Sequence, residues 1–324
     1  MTDVQLAVPG RDAWSTRLRD IGFWAEWAAL IGLVVLVVVF QSLNSTFLST
    51  GNVQSMLVAA AILIILAVGQ TFVISTAGID LSVASTMTLG AVVFGQAYTS
   101  GWGLPLSAVV AVVASAVLGV VNGTLIARGR IADFIVTLGT LSAASGLALI
   151  LSNGKPVTIV DPFLLRLSTG GVGIFGWSFI IAAVVAVLAH VMLFHSRFGT
   201  HVLATGGAPE SATAMGISTR RIKIAVYTIS GTLAGLGAIL LVARVGAAEP
   251  AANTAFLLNS VAAVVLGGVS LFGGRGTITG PVIGALLLTA LVNGLTLLGV
   301  SQFYQPLAVG IVVVLAALMT RFQR

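Results

Sequence analysis

The chain has 324 residues, of which 58% are hydrophobic and only 7% charged, with 15 Lys and Arg against 9 Asp and Glu. Soluble domains carry about 25% charged residues, so this composition and a mean hydropathy of +1.12 exclude an ordinary water-facing surface. The chain contains no cysteine, which excludes disulfides and Cys-ligated metal or iron–sulfur sites. The sequence therefore predicts an all-α, polytopic membrane helix bundle.

Apolar stretches close to the roughly 20 residues that a membrane-spanning helix needs recur about ten times along the chain. In chain order, we predict spans at 24–43, 53–75, 79–99, 105–127, 131–151, 173–194, 224–245, 256–272, 277–298 and 303–319. Residues 1–23 contain no signal-peptide pattern. We therefore expect a cytoplasmic amino-terminal tail at 1–23, a transmembrane domain at 24–319 and a cytoplasmic carboxyl-terminal tail at 320–324.

The basic residues test this topology, because Lys and Arg are enriched in the cytoplasmic loops of membrane proteins. Ten crossings from a cytoplasmic start place twelve of the 15 basic residues inside and leave only Lys155, Arg166 and Arg244 outside. The bias agrees with cytoplasmic termini and indicates anionic membrane lipid as the partner of these side chains. The net charge of +6 therefore reflects topology, and we expect no nucleic-acid binding.

Two predicted loops are long. The outside loop, 152–172, has room for a short helix or hairpin, and the inside loop, 195–223, is the longest cytoplasmic feature of the chain. His190, His195 and His201 lie near this inside loop, but their spacing is not the i, i+4 spacing of a helical metal pair, so we expect no metal site. No phosphate-binding loop of the type GxxxxGK[ST] occurs, so transport driven by ATP would need an ATPase on another chain.

The carboxamides of Gln70, Asn122, Asn259 and Asn293 lie within otherwise apolar stretches of the predicted spans. Exposing such a group to lipid costs a few kcal/mol, so all four should face the bundle interior, either as links between helices or as the lining of a pathway. The candidate pathway residues, inferred from polarity and span position, are Gln70, Thr71, Asn122, Thr137 and Asn293, with Phe134 as an apolar gate.

Asp80 is a carboxylate with apolar stretches close on both sides, in the segment Gly78-Ile79-Asp80-Leu81-Ser82. Gly78 permits a sharp turn, and Asp80 can then cap the following helix by accepting from its free N–H groups. The alternative is an ion-coupling carboxylate of a secondary transporter.

A second segment, 266–276, is too rich in glycine for a helix interior and predicts a broken or tightly packed hairpin. The glycines that we assign to this break are Gly267, Gly268, Gly273 and Gly274.

Several of these segments together resemble a known family. The segments VGQTFVISTAGIDLSVASTMTLGAVV, ADFIVTLGT, ATGGAPESATAMGISTRRIK and AAVVLGGVSLFGGRGTITGPVIGALLL occur in this order. They closely resemble the ribose-type permeases, which are the membrane subunits of bacterial ABC sugar importers. The resemblance extends from about residue 50 to about residue 320.

The resemblance implies a permease in the bacterial inner membrane that translocates a monosaccharide or similar polyhydroxylated solute by alternating access. Its implied partners are a second permease copy or close homologue, cytoplasmic ABC ATPase subunits and an extracytoplasmic sugar-binding protein. ATP and Mg would bind to the ATPase, so this chain would hold no cofactor and would be a transport subunit rather than an enzyme.

In such importers the long cytoplasmic loop carries short helices that dock into the ATPase. The matching coupling residues here are Pro209, Glu210, Ser211, Ala212, Thr213, Ala214, Met215 and Gly216. The residues themselves agree, because Pro209 suits the first turn of a helix, Glu210 the positive end of its dipole and Gly216 its end.

Three alternatives remain at this point. One is a branched-chain amino-acid or nucleoside permease of the same superfamily, and another is an ion-coupled secondary transporter with about ten spans. The third, a purely structural or receptor membrane protein, is disfavoured by the amides scattered through the spans.

Overall fold

The computed structural model describes residues 21–251 and 254–320. Its helices are α1 (Ile21–Leu43), α2 (Thr50–Ser75), α3 (Val83–Thr99), α4 (Leu104–Ala127), α5 (Asp133–Ser152), α6 (Pro162–Thr169), α7 (Trp177–Phe194), α8 (Arg197–Gly207), α9 (Pro209–Ala214), α10 (Thr219–Val245), α11 (Thr254–Leu266), α12 (Thr279–Leu297) and α13 (Gln305–Thr320). The strands are β1 (Val157–Thr158), β2 (Gly171–Val172), β3 (Phe175–Gly176) and β4 (Ala247–Ala248). Apart from residues 21–23 and 320, the two predicted tails lie outside the described residues.

The described helices form a polytopic bundle. Six of them, α2, α4, α5, α7, α10 and α12, are long and apolar enough to cross a membrane. Shorter apolar helices lie at 29–43, 254–266 and 305–315. The predicted helical membrane bundle is therefore confirmed, whereas the count of about ten spans and the orientation of the termini stay predictions.

Helix α2 forms the centre of the bundle. Its sequence is apolar around the whole circumference, which is typical of a helix enclosed by others, and every residue from Ile62 to Ser75 is buried. Helices α7, α10, α11 and α12 pack against it, and α3 packs against α4, α5 and α10. Helices α4 and α10 approach closely at Gly119, where an added Cβ would lie 2.3 Å from the carbonyl oxygen of Tyr227. Small residues permit such contacts where lipid supplies no hydrophobic drive between helices.

The loops that the sequence assigns to one side of the membrane lie together. At the predicted outer end, β1 pairs with β4 in antiparallel register, β2 pairs with β3, and the Tyr98 hydroxyl donates to Asp161 at 2.9 Å. The outside loop thus contains both a short helix, α6, and the first strand of a hairpin. At the other end, a cavity of about 500 Å³ is lined by residues of the 76–77 turn, the α4–α5 connection and the 195–223 loop.

Several helix boundaries differ from the predicted spans. Helix α3 begins at Val83 because the preceding residues form a turn, and the first residues of span 173–194 belong to the β2–β3 hairpin. Helix α11 ends at Leu266 and α12 begins only at Thr279.

The segment between α11 and α12 breaks the helix because of its glycines. Gly268, Gly273 and Gly274 have φ values of 76°, 76° and 73°, which a right-handed helix does not accommodate. Gly267 serves close packing instead, since an added Cβ would lie 2.2 Å from the carbonyl carbon of Gly280.

Candidate functional site

A buried polar network surrounds Asp80 in the turn between α2 and α3. Asp80 is 3% exposed, and its Oδ1 accepts from the backbone N–H and the hydroxyl of Ser82 at 2.9 and 2.6 Å. Its Oδ2 accepts from the hydroxyl of Ser230 on α10 at 2.8 Å. From α2, the side-chain amide of Gln70 donates to the Asp80 carbonyl at 2.6 Å. Asp80 therefore connects α2, α3 and α10.

The network continues into α4 and α5 through Asn122. The Nδ2 of this buried amide donates to the Ser82 hydroxyl at 2.9 Å, and its Oδ1 accepts from the Thr140 hydroxyl at 2.5 Å. The Ser82 hydroxyl thus donates to Asp80 and accepts from Asn122. Buried polar groups need such partners, so the chain of bonds fixes the positions of α3, α4 and α5 relative to α10.

A second polar cluster borders the same turn. Lys223 of α10 forms an ion pair with Asp133, the first residue of α5, with Nζ 2.9 Å from Oδ2. The Tyr227 hydroxyl lies 2.9 Å from the same Oδ2 and 3.1 Å from the Ile79 carbonyl oxygen. A Cβ added at Gly78 would lie 2.9 Å from both Asp133 and Tyr227, so the turn fits against the cluster because this residue is glycine.

Asp80 has a wider set of contacts than a helix cap needs. Ser82 is the N-cap residue of α3 and makes no side-chain capping bond, so Asp80 lies two residues before the cap position. The carboxylate accepts the one backbone N–H of Ser82, but it also accepts hydroxyls from two different elements. Its geometry is that of a link between helices as well as a turn-forming residue.

The other predicted pathway residues divide into two groups. Thr71 and Thr137 are fully buried near the network, and each donates to a carbonyl one turn earlier in its own helix. The Thr137 hydroxyl also lies 3.3 Å from the Ile79 carbonyl oxygen. Phe134, in contrast, is 54% exposed on the outer surface of α5.

Asn293 lies apart from the Asp80 network. It exchanges two side-chain hydrogen bonds of 2.9 and 3.0 Å with Asn52, in the first turn of α2. Asp80 follows the last turn of that helix, so the two sites are separated by most of its length. The structure therefore brings Gln70, Asn122 and Thr137 together but not Asn293.

The predicted coupling segment forms its own short helix. Helix α9 starts at Pro209, and all its residues except Ala212 are exposed. The helix ends before Gly216, whose φ is +83°, and the N–H of Ile217 donates to the Ala212 carbonyl, as in a glycine-terminated helix. Met215 follows the last turn and is 72% exposed. The segment therefore presents an accessible apolar tip.

A close backbone junction links this segment to the Asp80 turn. The N–H of Gly274 donates to the Ser75 carbonyl, the last of α2, at 3.0 Å. A Cβ added at Gly206, just before α9, would lie 2.0 Å from that carbonyl oxygen. The hydroxyls of Ser75 and Thr205 are buried here and have no hydrogen-bond partner among the described residues. Three segments distant in sequence thus meet with no side chain between them.

Some residues of the site were missed by sequence reasoning. Lys223, Tyr227 and Ser230 have i, i+4 and i+7 spacing on α10 and all face the α2–α3 turn. That spacing of polar residues on a membrane helix is a signal that the sequence contains. Thr140 on α5 belongs to the site through the hydrogen bond that its hydroxyl donates to Asn122.

Comparisons with known proteins identify the family of the chain. A model of the family described as branched-chain amino acid transport system / permease component matches residues 52–318. The chain belongs to this permease family. The permease is 39% identical over 309 residues to the ribose import permease protein of Escherichia coli, covering 91% of this chain and 93% of that protein.

Two further relatives extend the comparison. The ribose import permease protein of Bacillus subtilis is 38% identical over 313 residues, which cover 94% of the permease and 95% of the relative. The L-arabinose ABC transporter permease protein of Azospirillum brasilense is 36% identical over 298 residues, or 90% and 87% of the two chains. No solved structure matches the permease significantly. The resemblance to ribose-type permeases is confirmed, and the permease is a multi-pass protein of the bacterial inner membrane.

Proposed function

We propose that the permease is the membrane-spanning subunit of an ABC importer for a monosaccharide or a similar polyhydroxylated solute. Its partners are a second copy or close homologue, ATPase subunits that bind ATP and Mg in the cytoplasm, and an extracytoplasmic sugar-binding protein. The relatives named for ribose and L-arabinose import support this substrate class.

The exposed helix α9 is the observation that carries the proposal. A chain of this length that only bound a solute would not need a short helix that ends in an exposed Met215. A protruding apolar side chain on a rigid turn suits insertion into a cleft of another protein, because such anchors supply much of the binding energy of an interface. We assign that cleft to the ATPase.

The junction at Gly206 offers a route from the ATPase to the membrane interior. A shift of α9 moves Gly206, and its close contact with Ser75 passes the shift to the end of α2. The next residues along the chain form the turn that contains Asp80. Backbones that pack directly against each other, without side chains between them, cannot move far independently. A small movement of the loop therefore displaces this turn.

The predicted pathway residues take different roles in this proposal. Gln70, Asn122 and Thr137 shape the pathway by holding the α2–α3 turn rather than by facing the solute. Thr71 bonds only the carbonyl one turn earlier in α2, and its place in the pathway stays a prediction. Asn293 holds α12 against the start of α2. Replacing Gln70 with Leu removes the bond to the Asp80 carbonyl, so transport should fall while complex assembly is retained.

A branched-chain amino acid is the second candidate substrate, because the description of the matching family names it. The experiment is uptake of radiolabelled D-ribose, L-arabinose, D-allose and L-leucine by cells that express the permease with its ATPase and binding protein. We expect ATP-dependent uptake of at least one sugar and none of leucine. Uptake of leucine alone would replace the sugar assignment with the second candidate.

A further inference from the structure

A groove between α11 and α13 lies outside the polar site described above. It has a volume of about 630 Å³. Its wall contains Gln302 and Gln305, from the loop and helix start at the predicted outer side, and also Leu81, which follows Asp80 in the chain. Residues Ala255 to Val265 of α11 line its length, which at 1.5 Å per residue is about 15 Å. The groove thus runs across half the thickness of the hydrocarbon.

Asn259 lies half-buried in the middle of this groove. Its carboxamide makes no hydrogen bond with any residue that the structure describes, unlike Gln70, Asn122 and Asn293. Exposing an amide to lipid costs a few kcal/mol of free energy. The unpaired donor and acceptor of Asn259 therefore indicate a polar partner that enters the groove.

The chemistry of the wall restricts that partner. None of the described residues that line the groove is charged, and apart from Asn259 and the two glutamines at its mouth the surface is aliphatic. A metal ion or an anion would find no compensating charge. A small neutral solute with hydroxyl groups can hydrogen-bond the amides and place its C–H faces on the aliphatic wall.

A hollow on α7 provides the contrast. It has a similar volume of about 420 Å³, but its walls are side chains of Phe, Ile, Ala, Val and Leu without any amide. Leu188 in this hollow is 63% exposed. Such a surface suits acyl chains, and it needs no polar ligand.

We propose that the α11–α13 groove is one wall of the solute pathway and that Asn259 hydrogen-bonds a hydroxyl of the passing solute. The inference rests on the proposed sugar-import function and deepens it. The glutamines receive the solute at the outer mouth, Asn259 binds it weakly half-way, and the inner end delivers it to the turn that contains Asp80. That turn is the one moved by the coupling junction.

The absence of cysteine from the chain makes a direct test available. Single-cysteine variants Asn259→Cys and Gly310→Cys place a thiol on the two walls, and Leu188→Cys is the control in the α7 hollow. An added side chain at Gly310 has no atom within 4 Å, so this second variant should fold even if the first does not. Each variant is assembled with its ATPase and binding protein in membranes and treated with a membrane-impermeant methanethiosulfonate reagent, which reacts only with a hydrated thiolate.

We expect Asn259→Cys and Gly310→Cys to react at least tenfold faster than Leu188→Cys, and saturating transported sugar to slow their reaction at least twofold. Reaction as slow as that of Leu188→Cys would mean that lipid or a second copy fills the groove, and this result would overturn the proposal. Fast reaction without sugar protection would overturn the assignment to solute. ATP-dependent sugar uptake by the unsubstituted permease, measured in the same membranes, separates these failures from a failure of the import function itself.

Discussion

Replacing Gly206 with Ala adds one methyl group where three backbone segments meet. The new Cβ would lie 2.0 Å from the Ser75 carbonyl oxygen and 2.7 Å from the Gly274 amide nitrogen. These two atoms are joined by their own hydrogen bond of 3.0 Å, so neither can retreat without disturbing it. Close C···O contacts are about 3.3 Å, and the junction must therefore open by about 1 Å.

The free energy of this opening follows from three contributions. Overpacking costs about 1–3 kcal/mol, and loss of the Gly274–Ser75 hydrogen bond costs about 1 kcal/mol. The greater helix propensity of Ala returns up to about 1 kcal/mol, because Gly206 lies in α8. The net cost of about 1–4 kcal/mol disfavours the closed junction by at least about fivefold.

The neighbouring glycine supplies a matched control. A Cβ added at Gly207 would lie 3.4 Å from the Gly274 Cα, which is an ordinary contact, so Gly207→Ala should be neutral or slightly stabilising. The assay is sugar uptake per ATP hydrolysed by proteoliposomes that contain the permease, ATPase and binding protein. We expect Gly206→Ala to lower this ratio at least about fivefold. Equal ratios for the two variants, with both proteins folded, would refute the role of the junction.

Three further changes test other parts of the account. Asp80→Ala leaves two buried hydroxyl donors without an acceptor and should lower the free energy of unfolding by about 2–4 kcal/mol. Asp80→Asn keeps one acceptor, so it should cost less and still permit uptake. A stable Asp80→Asn protein without uptake would favour ion coupling. A double-mutant cycle of Asn52→Ala and Asn293→Ala should give a coupling of about 1 kcal/mol in the free energy of unfolding, and both variants should retain normal uptake. Zero coupling would contradict the observed pair. Met215→Glu should change the free energy of unfolding by no more than about 0.5 kcal/mol, because the side chain is 72% exposed. The same variant should weaken ATPase binding at least tenfold in a pull-down titration. Unchanged binding would exclude Met215 from the interface.

Local features of the sequence predicted several long helices and the two ends of the short helix α9 well. The long apolar stretches gave α2, α4 and α10 within a few residues, because the thickness of a membrane sets the length of its helices. Pro209 and Gly216 marked the two ends of α9, since both residues act through their own backbone geometry.

Contacts between distant residues could not be predicted in the same way. Asp80 and Ser230 are 150 positions apart, and a single sequence contains no signal that joins them. The same holds for Asn293, whose partner Asn52 is 241 positions away. The glycine-rich break was recognised, but its contact with α8 near Gly206 depends on the packing of three segments.

The sequence also did not predict which side of a helix faces a neighbouring helix. Phe134 was predicted as an apolar gate from its span position and is 54% exposed in the single chain, so its role as a gate stays a prediction. An apolar residue on a membrane helix can face lipid or protein with similar ease, so its type does not decide its direction.

We propose that ATP hydrolysis on partner subunits drives solute import through this permease. The most direct measurement is uptake of radiolabelled D-ribose, L-arabinose and D-allose into proteoliposomes loaded with ATP and Mg, with and without the ATPase subunits. We expect at least one of these sugars to accumulate above its external concentration only when the ATPase, ATP and the loaded binding protein are all present. Sustained uphill uptake by the permease alone, driven by an ion gradient, would contradict it.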